Sequence, residues 1–186
     1  MNPECANLHK KVARYKEILE NTKKYRKAWP KLKKSIKSQL KNVCKDVGLN
    51  VEIQEKDEMA NLEALVLSLG DIKSGMSQEV AANIHREMIK HSGSLVYQQL
   101  FNGKILVLVN MPFIEGYGQP QPPKTVGIYR PEELKDPFVL RHLEMLVQEV
   151  AAWEDYDDDV KQEPNQRIGF KLNFGDVPGE GGAATQ

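Results

Sequence analysis

The hydrophobic residues of the first fifty positions recur every three or four residues, as one face of an α-helix requires. A short heptad-like seam comes first, and its members are Leu8, Val12, Tyr15, Leu19 and Thr22. A second stripe follows Pro30 and consists of Leu32, Ile36, Leu40, Val43 and Val47. Because proline lacks the backbone donor that a helix interior needs, the pattern predicts two helices that meet at a break or kink at Pro30. The second of them covers about residues 31–47.

Alternating and continuous apolar runs predict strands farther along the chain. Residues 49–54 alternate between apolar and polar, and residues 61–69 are apolar enough for burial on both faces. Asn102-Gly103 separates the apolar runs 95–101 and 104–110. Since both positions of this pair tolerate positive φ, the sequence predicts a tight β-hairpin there, followed by a short strand over residues 125–129.

Two more helices are predicted, one in the middle of the chain and one near its end. After turn residues at 70–75, Ser77 can cap a helix that Gly93 ends; Val80, Ile84, Met88 and His91 share one of its sides. The last helix begins at Asp136-Pro137, and its stripe consists of Leu140, Leu143, Val147, Val150 and Trp153. The order α-α-β-β-α-β-β-(β)-α predicts a two-layer α+β fold, with helices on an antiparallel sheet of four to five strands.

Charge divides the chain into three regions. The net charge is zero, from 26 basic and 26 acidic residues, which removes any whole-chain argument for binding nucleic acid or membrane. Residues 1–50, however, hold 14 Lys or Arg against four carboxylates, a net charge of +10, so the rest carries −10. We expect a basic helical extension over residues 1–30, an α+β domain over 31–153, and an acidic, then glycine-rich tail over 154–186 that is solvated and mobile.

Composition argues against several classes of protein. Two cysteines, Cys5 and Cys44, cannot build a disulfide framework, so we expect a reducing, cytoplasmic environment. No apolar run approaches the roughly 18 residues of a membrane span, and no membrane partner is expected. The run after Trp153 has the aspartate spacing of a calcium loop, but Val160 and Gln166 stand where glycine and glutamate are needed. No metal, cofactor or catalytic residue is predicted, and the protein is not expected to be an enzyme.

The order of elements from Leu32 to Trp153 carries a resemblance. The matching pieces are the helix that ends at Gly48, the hairpin around Asn102-Gly103, and the terminal helix over residues 140–153. In this order the chain resembles the class I type III secretion chaperones. The resemblance implies a non-catalytic, acidic homodimer that holds an extended segment of another protein; the basic extension is a departure from it, and no individual binding residue is carried over.

Two groups of residues are candidates for binding a partner. The first lies in and after a long Gly- and Pro-rich loop over residues 111–124 and consists of Phe113, Ile114, Tyr117 and Tyr129. The alternative for these side chains is that they only cap the sheet. The second is a basic helix face suited to phosphate, consisting of Lys31, Lys33, Lys34, Lys37 and Lys41. The alternative for this face is that it is solvated or neutralised by acidic groups of the same molecule.

Three functions therefore stay open. The first is a non-catalytic protein-binding protein, a chaperone-like or adaptor homodimer that uses its sheet or loop surface. The second is a nucleic-acid-associated protein that uses the basic N-terminal helices. The third is an enzyme whose site is assembled in space and is not visible in the sequence.

Overall fold

One continuous helix, α1 (Ala6–Asp46), occupies the region where two helices were predicted. It belongs to a computed structural model that describes residues 5–81 and 84–155. The predicted break at Pro30 is wrong, because Pro30 lies inside α1 on its exposed side. A proline inside a helix costs about 3 kcal/mol. Burial of the opposite side of α1 on both sides of this position, at Trp29 and Ile36, offsets that cost.

Eight strands and a second helix follow α1, and their bounds are β1 (Glu52–Lys56), β2 (Ala64–Ser68), β3 (Asp71–Ala81), β4 (Ile84–His91), β5 (Ser94–Gln99), β6 (Ile105–Asn110), β7 (Phe113–Ile114), β8 (Lys124–Tyr129) and α2 (Asp136–Glu154). Five of these strands form an antiparallel sheet in the order β1-β2-β5-β6-β8. A separate sheet has the order β3-β4-β7. The molecule is therefore an α+β protein, and the predicted β5–β6 hairpin, the strand over residues 125–129 and the terminal helix are confirmed.

The helix predicted from Ser77 to His91 is wrong, because this region forms most of the β3–β4 pair. A spacing of four residues between Ile84 and Met88 fits a strand of period two as well as a helix. Gly75, with φ of +76°, lies where the register shifts between Lys73 and Ser77, so it marks an irregularity in a strand. The second sheet was not predicted for this reason.

The two helices cover one face of the five-stranded sheet, and the core lies between them. From α1 this core receives one side of the helix, namely Trp29, Ile36, Leu40 and Cys44. From the sheet it receives alternate residues of the central strands, which are Leu65, Leu67, Leu95, Tyr97, Ile105, Val107 and Val109. From α2 it receives Val139, Leu143 and Leu146. This alternation means that the sheet turns a second set of side chains away from the helices.

Two projections leave the body at opposite ends of the sheet. The arm, which we define as residues 6–24, is the part of α1 before its first buried residue, Tyr25. It leaves beside the β5–β6 turn, where Gly103 contacts Thr22 and Tyr25. The wing, which we define as β3, β4 and β7, is attached at the other ends of β2, β5 and β6.

Within residues 5–81 and 84–155, no helix is long and apolar enough to cross a membrane. Of the tail predicted over residues 154–186, Glu154 and Asp155 end α2, and the remainder lies outside the described residues.

Candidate partner-binding surface

The side of the five-stranded sheet that faces away from the helices, here called the open face, carries an apolar row across its strands. Val66 lies opposite Val96, and Val96 lies opposite Leu108. A second row, one pleat nearer the β5–β6 turn, pairs Leu106 with Ile128. The side chains of the first row are half-buried and Ile128 is 56% exposed, and no described helix covers this face. Apolar groups in this arrangement are what a binding partner can remove from water.

Polar side chains border the apolar row. Ser68, Ser94 and Asn110 lie opposite one another across β2, β5 and β6, and Asn110 Nδ2 donates to Ser94 Oγ at 2.8 Å. On the other side of the row, Gln98 lies opposite Ala64 and Leu106. Amide and hydroxyl groups in these positions can bond the backbone of an extended chain that lies on the face.

The open face has a groove on its β1–β2 side and a cleft at its wing end. The groove has a volume of about 380 Å³ and is walled by Met59 and Leu62 of the β1–β2 connection. The cleft, of about 350 Å³, is lined by Phe113, Pro120 and Pro123 of the long loop. Ser94 and Asn110 line both, so the groove and the cleft adjoin there, and together they are here called the track.

His91 lies in the cleft wall between two carboxylates. Its Nδ1 lies 2.8 Å from Asp71 Oδ1, its Nε2 lies 3.1 Å from Glu115 Oε1, and its ring stacks on Phe113 with centroids 4.5 Å apart. Burial alone would lower the pKa of His91, but the hydrogen bonds to Glu115 and Asp71 outweigh it and raise that pKa above the usual value. In its protonated form His91 donates from both ring nitrogens to carboxylates and links β3 to the loop after β7.

The predicted loop residues do not all share one surface. Phe113 and Ile114 form β7 and pair with β4, with Phe113 facing the cleft. Tyr117 follows on the same loop and is 45% exposed. Tyr129 lies on the helix side of the sheet, where its ring is 5.7 Å from that of Phe138 and 5.4 Å from that of His142. Of this group, the structure therefore brings Phe113, Ile114 and Tyr117 together and places Tyr129 elsewhere.

The predicted basic face is divided in the same way. Lys33 is buried and its Nζ donates to Asp57 at 2.7 Å and to Glu63 at 3.0 Å, with Glu55 at 3.3 Å. Lys37 pairs with Glu55. Lys31, Lys34 and Lys41 are exposed. Two of the five lysines thus serve the contact between α1 and the β1–β2 region.

Cys44 and His142 are both buried, which does not favour nucleophilic chemistry at either side chain. Cys44 is buried in the core, and burial raises the pKa of its thiol. His142 is buried between Tyr97 and Tyr129, with its Nδ1 3.1 Å from the Tyr97 hydroxyl. Burial, with the nearby charge of Arg141, lowers the pKa of His142 to about 4.

Sequence reasoning missed the open face. The run over residues 61–69 was interpreted as a strand buried on both faces, because most of its residues are apolar. This is wrong for β2, where Leu65 and Leu67 are buried but Val66 is half-buried on the open face. β6 is arranged in the same way, with Ile105, Val107 and Val109 buried and with Leu106 and Leu108 on the open face. The available signal was the continuous apolar run itself. The sequence does not show, however, whether helices cover one face of the sheet or both.

No family model, curated protein or solved structure matches the chain.

Proposed function

We propose that this is a non-catalytic protein-binding protein that holds an extended apolar segment of another protein on the open face. The observation that carries the proposal is the row Val66, Val96 and Leu108 on a sheet face that no described helix covers. A chaperone-like or adaptor role in the cytoplasm follows from this proposal, and it agrees with what the resemblance to class I type III secretion chaperones implies.

The shape of the track supports an extended segment rather than a globular partner. The groove and the cleft each enclose less than 400 Å³ and adjoin at Ser94 and Asn110, so their volumes suit a single chain rather than a folded domain. An extended chain turns alternate side chains to one side, so its apolar residues can face the row while its backbone meets Ser94, Asn110 and Gln98. Prolines in the cleft wall, Pro120 and Pro123, limit the entropy lost when the loop closes on a ligand.

Binding to short peptides tests the proposal. The probe is a set of soluble peptides in which apolar and polar residues alternate, with peptides of the same composition in block order as the comparison. We expect the alternating peptides to bind with dissociation constants in the micromolar range. Met59→Gln and Val96→Gln should each weaken that binding by about tenfold, since each removes roughly 1–2 kcal/mol of apolar contact in the groove.

The matched control is Ile72→Gln, because Ile72 is 52% exposed but lies on the wing rather than on the open face. Met59→Gln guards against misfolding, since Met59 is already more than half exposed. Equal binding of alternating and block peptides, or an equal effect of Ile72→Gln and Met59→Gln, would overturn the proposal. Salt separates it from the nucleic-acid alternative, since phosphate contacts weaken steeply between about 50 and 200 mM salt and apolar contacts do not.

A further inference from the structure

The arm carries an apolar stripe that the body of its own molecule does not cover. Tyr15, Ile18 and Thr22 follow one another at the helical spacing that continues into Tyr25 and Trp29. Tyr25 and Trp29 are buried against the body, whereas five large apolar residues of the arm are 41% to 60% exposed, namely Leu8, Val12, Tyr15, Ile18 and Leu19. The apolar side of α1 is therefore packed against the body in the second half of the helix and exposed in the first half.

The arm is basic around this stripe. Residues 6–24 contain six Lys or Arg against Glu17 and Glu20, a net charge of +4. None of these charges forms an ion pair within residues 5–81 and 84–155. A fitting occupant has to supply apolar surface and negative charge together.

The outer side of α2 supplies both. Leu140 and Val147, seven residues apart, lie on one side of the helix and are 46% and 42% exposed. Glu144 lies between them, and residues 136–155 hold five carboxylates against Arg141, a net charge of −4. Glu149 and Glu154 pair with Lys124 and Lys90, whereas Glu144 and Asp155 form no ion pair in the described part of the chain.

We propose that the arm of one copy packs on the outer side of α2 of a second copy, and that the reciprocal contact makes a homodimer. The arm and α2 match in length, because each contains 19 residues and extends about 28 Å. A pairing of two arms is disfavoured, since each carries +4. Nucleic acid would match the charge but leave the apolar stripe in water.

The direction of the helices allows a twofold arrangement. α1 passes the β5–β6 turn at Thr22 and runs toward the wing end. α2 begins near Tyr129, the partner of Ile105, and its Val150 packs at Gly93, so it runs the same way. About an axis beyond the β5–β6 turn, each arm then lies antiparallel to the other copy's α2, with Lys16 near Glu144 and opposed helix dipoles. This dimer uses a surface separate from the open face and does not depend on the proposed function.

Light scattering on the full chain tests the dimer. We expect a mass of twice 21.1 kDa at micromolar concentration. Leu140→Gln with Val147→Gln, and separately Tyr15→Gln with Ile18→Gln, should each raise the dissociation constant at least about tenfold. All four side chains are exposed in one copy, so the variants should fold. Val47→Gln is the matched control, because Val47 is exposed and lies just after the end of α1, away from the arm.

A charge exchange locates the contact. Glu144→Lys should weaken the dimer several-fold, and Lys16→Glu added to the same chain should restore it, because each interface then regains an opposite pair. A monomer at all concentrations would overturn the proposal. It would also be overturned by a dimer that responds to the arm substitutions but not to those in α2, or by arm substitutions that change only salt-dependent nucleic-acid binding.

Discussion

Two buried polar side chains are held in opposite charge states. Around Lys33, burial alone would lower the pKa of the ammonium, but hydrogen bonds to Asp57, Glu63 and Glu55 outweigh it and raise that pKa above its usual range. The imidazole of His142 meets tyrosine hydroxyls instead of carboxylates, so burial dominates and keeps it neutral. The residues that face each group, rather than burial itself, therefore decide its charge.

Lys33→Met should destabilise the protein by about 2 kcal/mol. The substitution keeps the apolar stem but leaves three carboxylates close together without their shared cation, and their partial exposure keeps the loss below that of a fully buried pair. The control is Lys34→Met, because Lys34 is exposed and should change the stability by less than about 0.5 kcal/mol. Urea unfolding at pH 7 measures both, and equal effects would contradict the role given to Lys33.

His142 should make the protein less stable in mild acid. Its pKa is about 4 when folded and 6.5 when unfolded, so between these values the unfolded state binds the proton. Stability present above pH 6.5 is thus lost as the pH falls toward 4, with a loss of about 2 kcal/mol by pH 5. His142→Gln should remove this part of the pH dependence in urea unfolding at pH 5 and 7. The raised pKa of His91 gives the stability a pH dependence of the opposite sign. This contribution is the same in both proteins, so it cancels when they are compared.

At the scale of elements, the turn between β5 and β6 holds α1 in place. Gly103 has φ of +75°, and a Cβ at this position would come within 2.7 Å of Tyr25 Cβ and 2.9 Å of Arg26 N. The guanidinium of Arg26 also donates to the Phe101 carbonyl. The Asn-Gly pair that predicted the hairpin therefore has a second role, the close approach of the turn to a helix, which local sequence does not show.

Gly103→Ala should cost clearly more stability than Gly48→Ala. Both residues have positive φ, +75° and +70°, so both substitutions carry the left-handed penalty of about 1–2 kcal/mol. Only at Gly103 does the new methyl group meet atoms closer than 3 Å, whereas nothing lies within 4 Å at Gly48. Thermal or urea unfolding of the two variants measures the difference. Equal losses would mean that the turn can move away from α1 without cost.

Local patterns predicted the elements whose signal is unambiguous and failed where two signals compete. The β5–β6 hairpin and α2 were predicted because Asn102-Gly103 and a long apolar stripe each fit one structure. Ser77–His91 was predicted as a helix from a spacing of four residues, but that spacing fits a strand equally well. Pro30 was expected to break α1, because the packing of the opposite side of the helix cannot be seen in the local sequence. Of the candidate surface, Phe113 was named from the sequence, but the row through Val96 required the sheet order.

At the scale of the whole molecule, the wing is the least supported part of the described chain. None of the core residues comes from the described side chains of β3, β4 or β7, and β3 pairs only with β4 within the described sheets. The links from the wing to the loop and to α2 are polar, through His91 with Glu115 and Lys90 with Glu154. Few buried apolar contacts mean a low free energy of local opening.

Amide exchange should therefore be slowest in β5 and β6 and faster in β3 and β4. The exchange of the wing should also quicken as the pH rises above 6.5, after correction for the intrinsic rate, because the protonated form of His91 that binds Asp71 and Glu115 is lost through its raised pKa. His91→Gln should show no such pH dependence. Uniform protection across both sheets would contradict the separation of wing and body.

The contacts of α1 also determine when during synthesis it can be covered. Trp29 binds Glu63, 34 residues later, Arg26 binds Phe101, 75 residues later, and Gln39 binds Asp136, 97 residues later. At about 5–20 residues per second, the ribosome needs roughly 3–13 s to proceed from the end of α1 to the end of β6. Throughout that interval a nascent chain carries the stripe of Trp29, Ile36 and Leu40 without the complete set of strands that bury it. The longest helix is thus made before all the strands on which it packs.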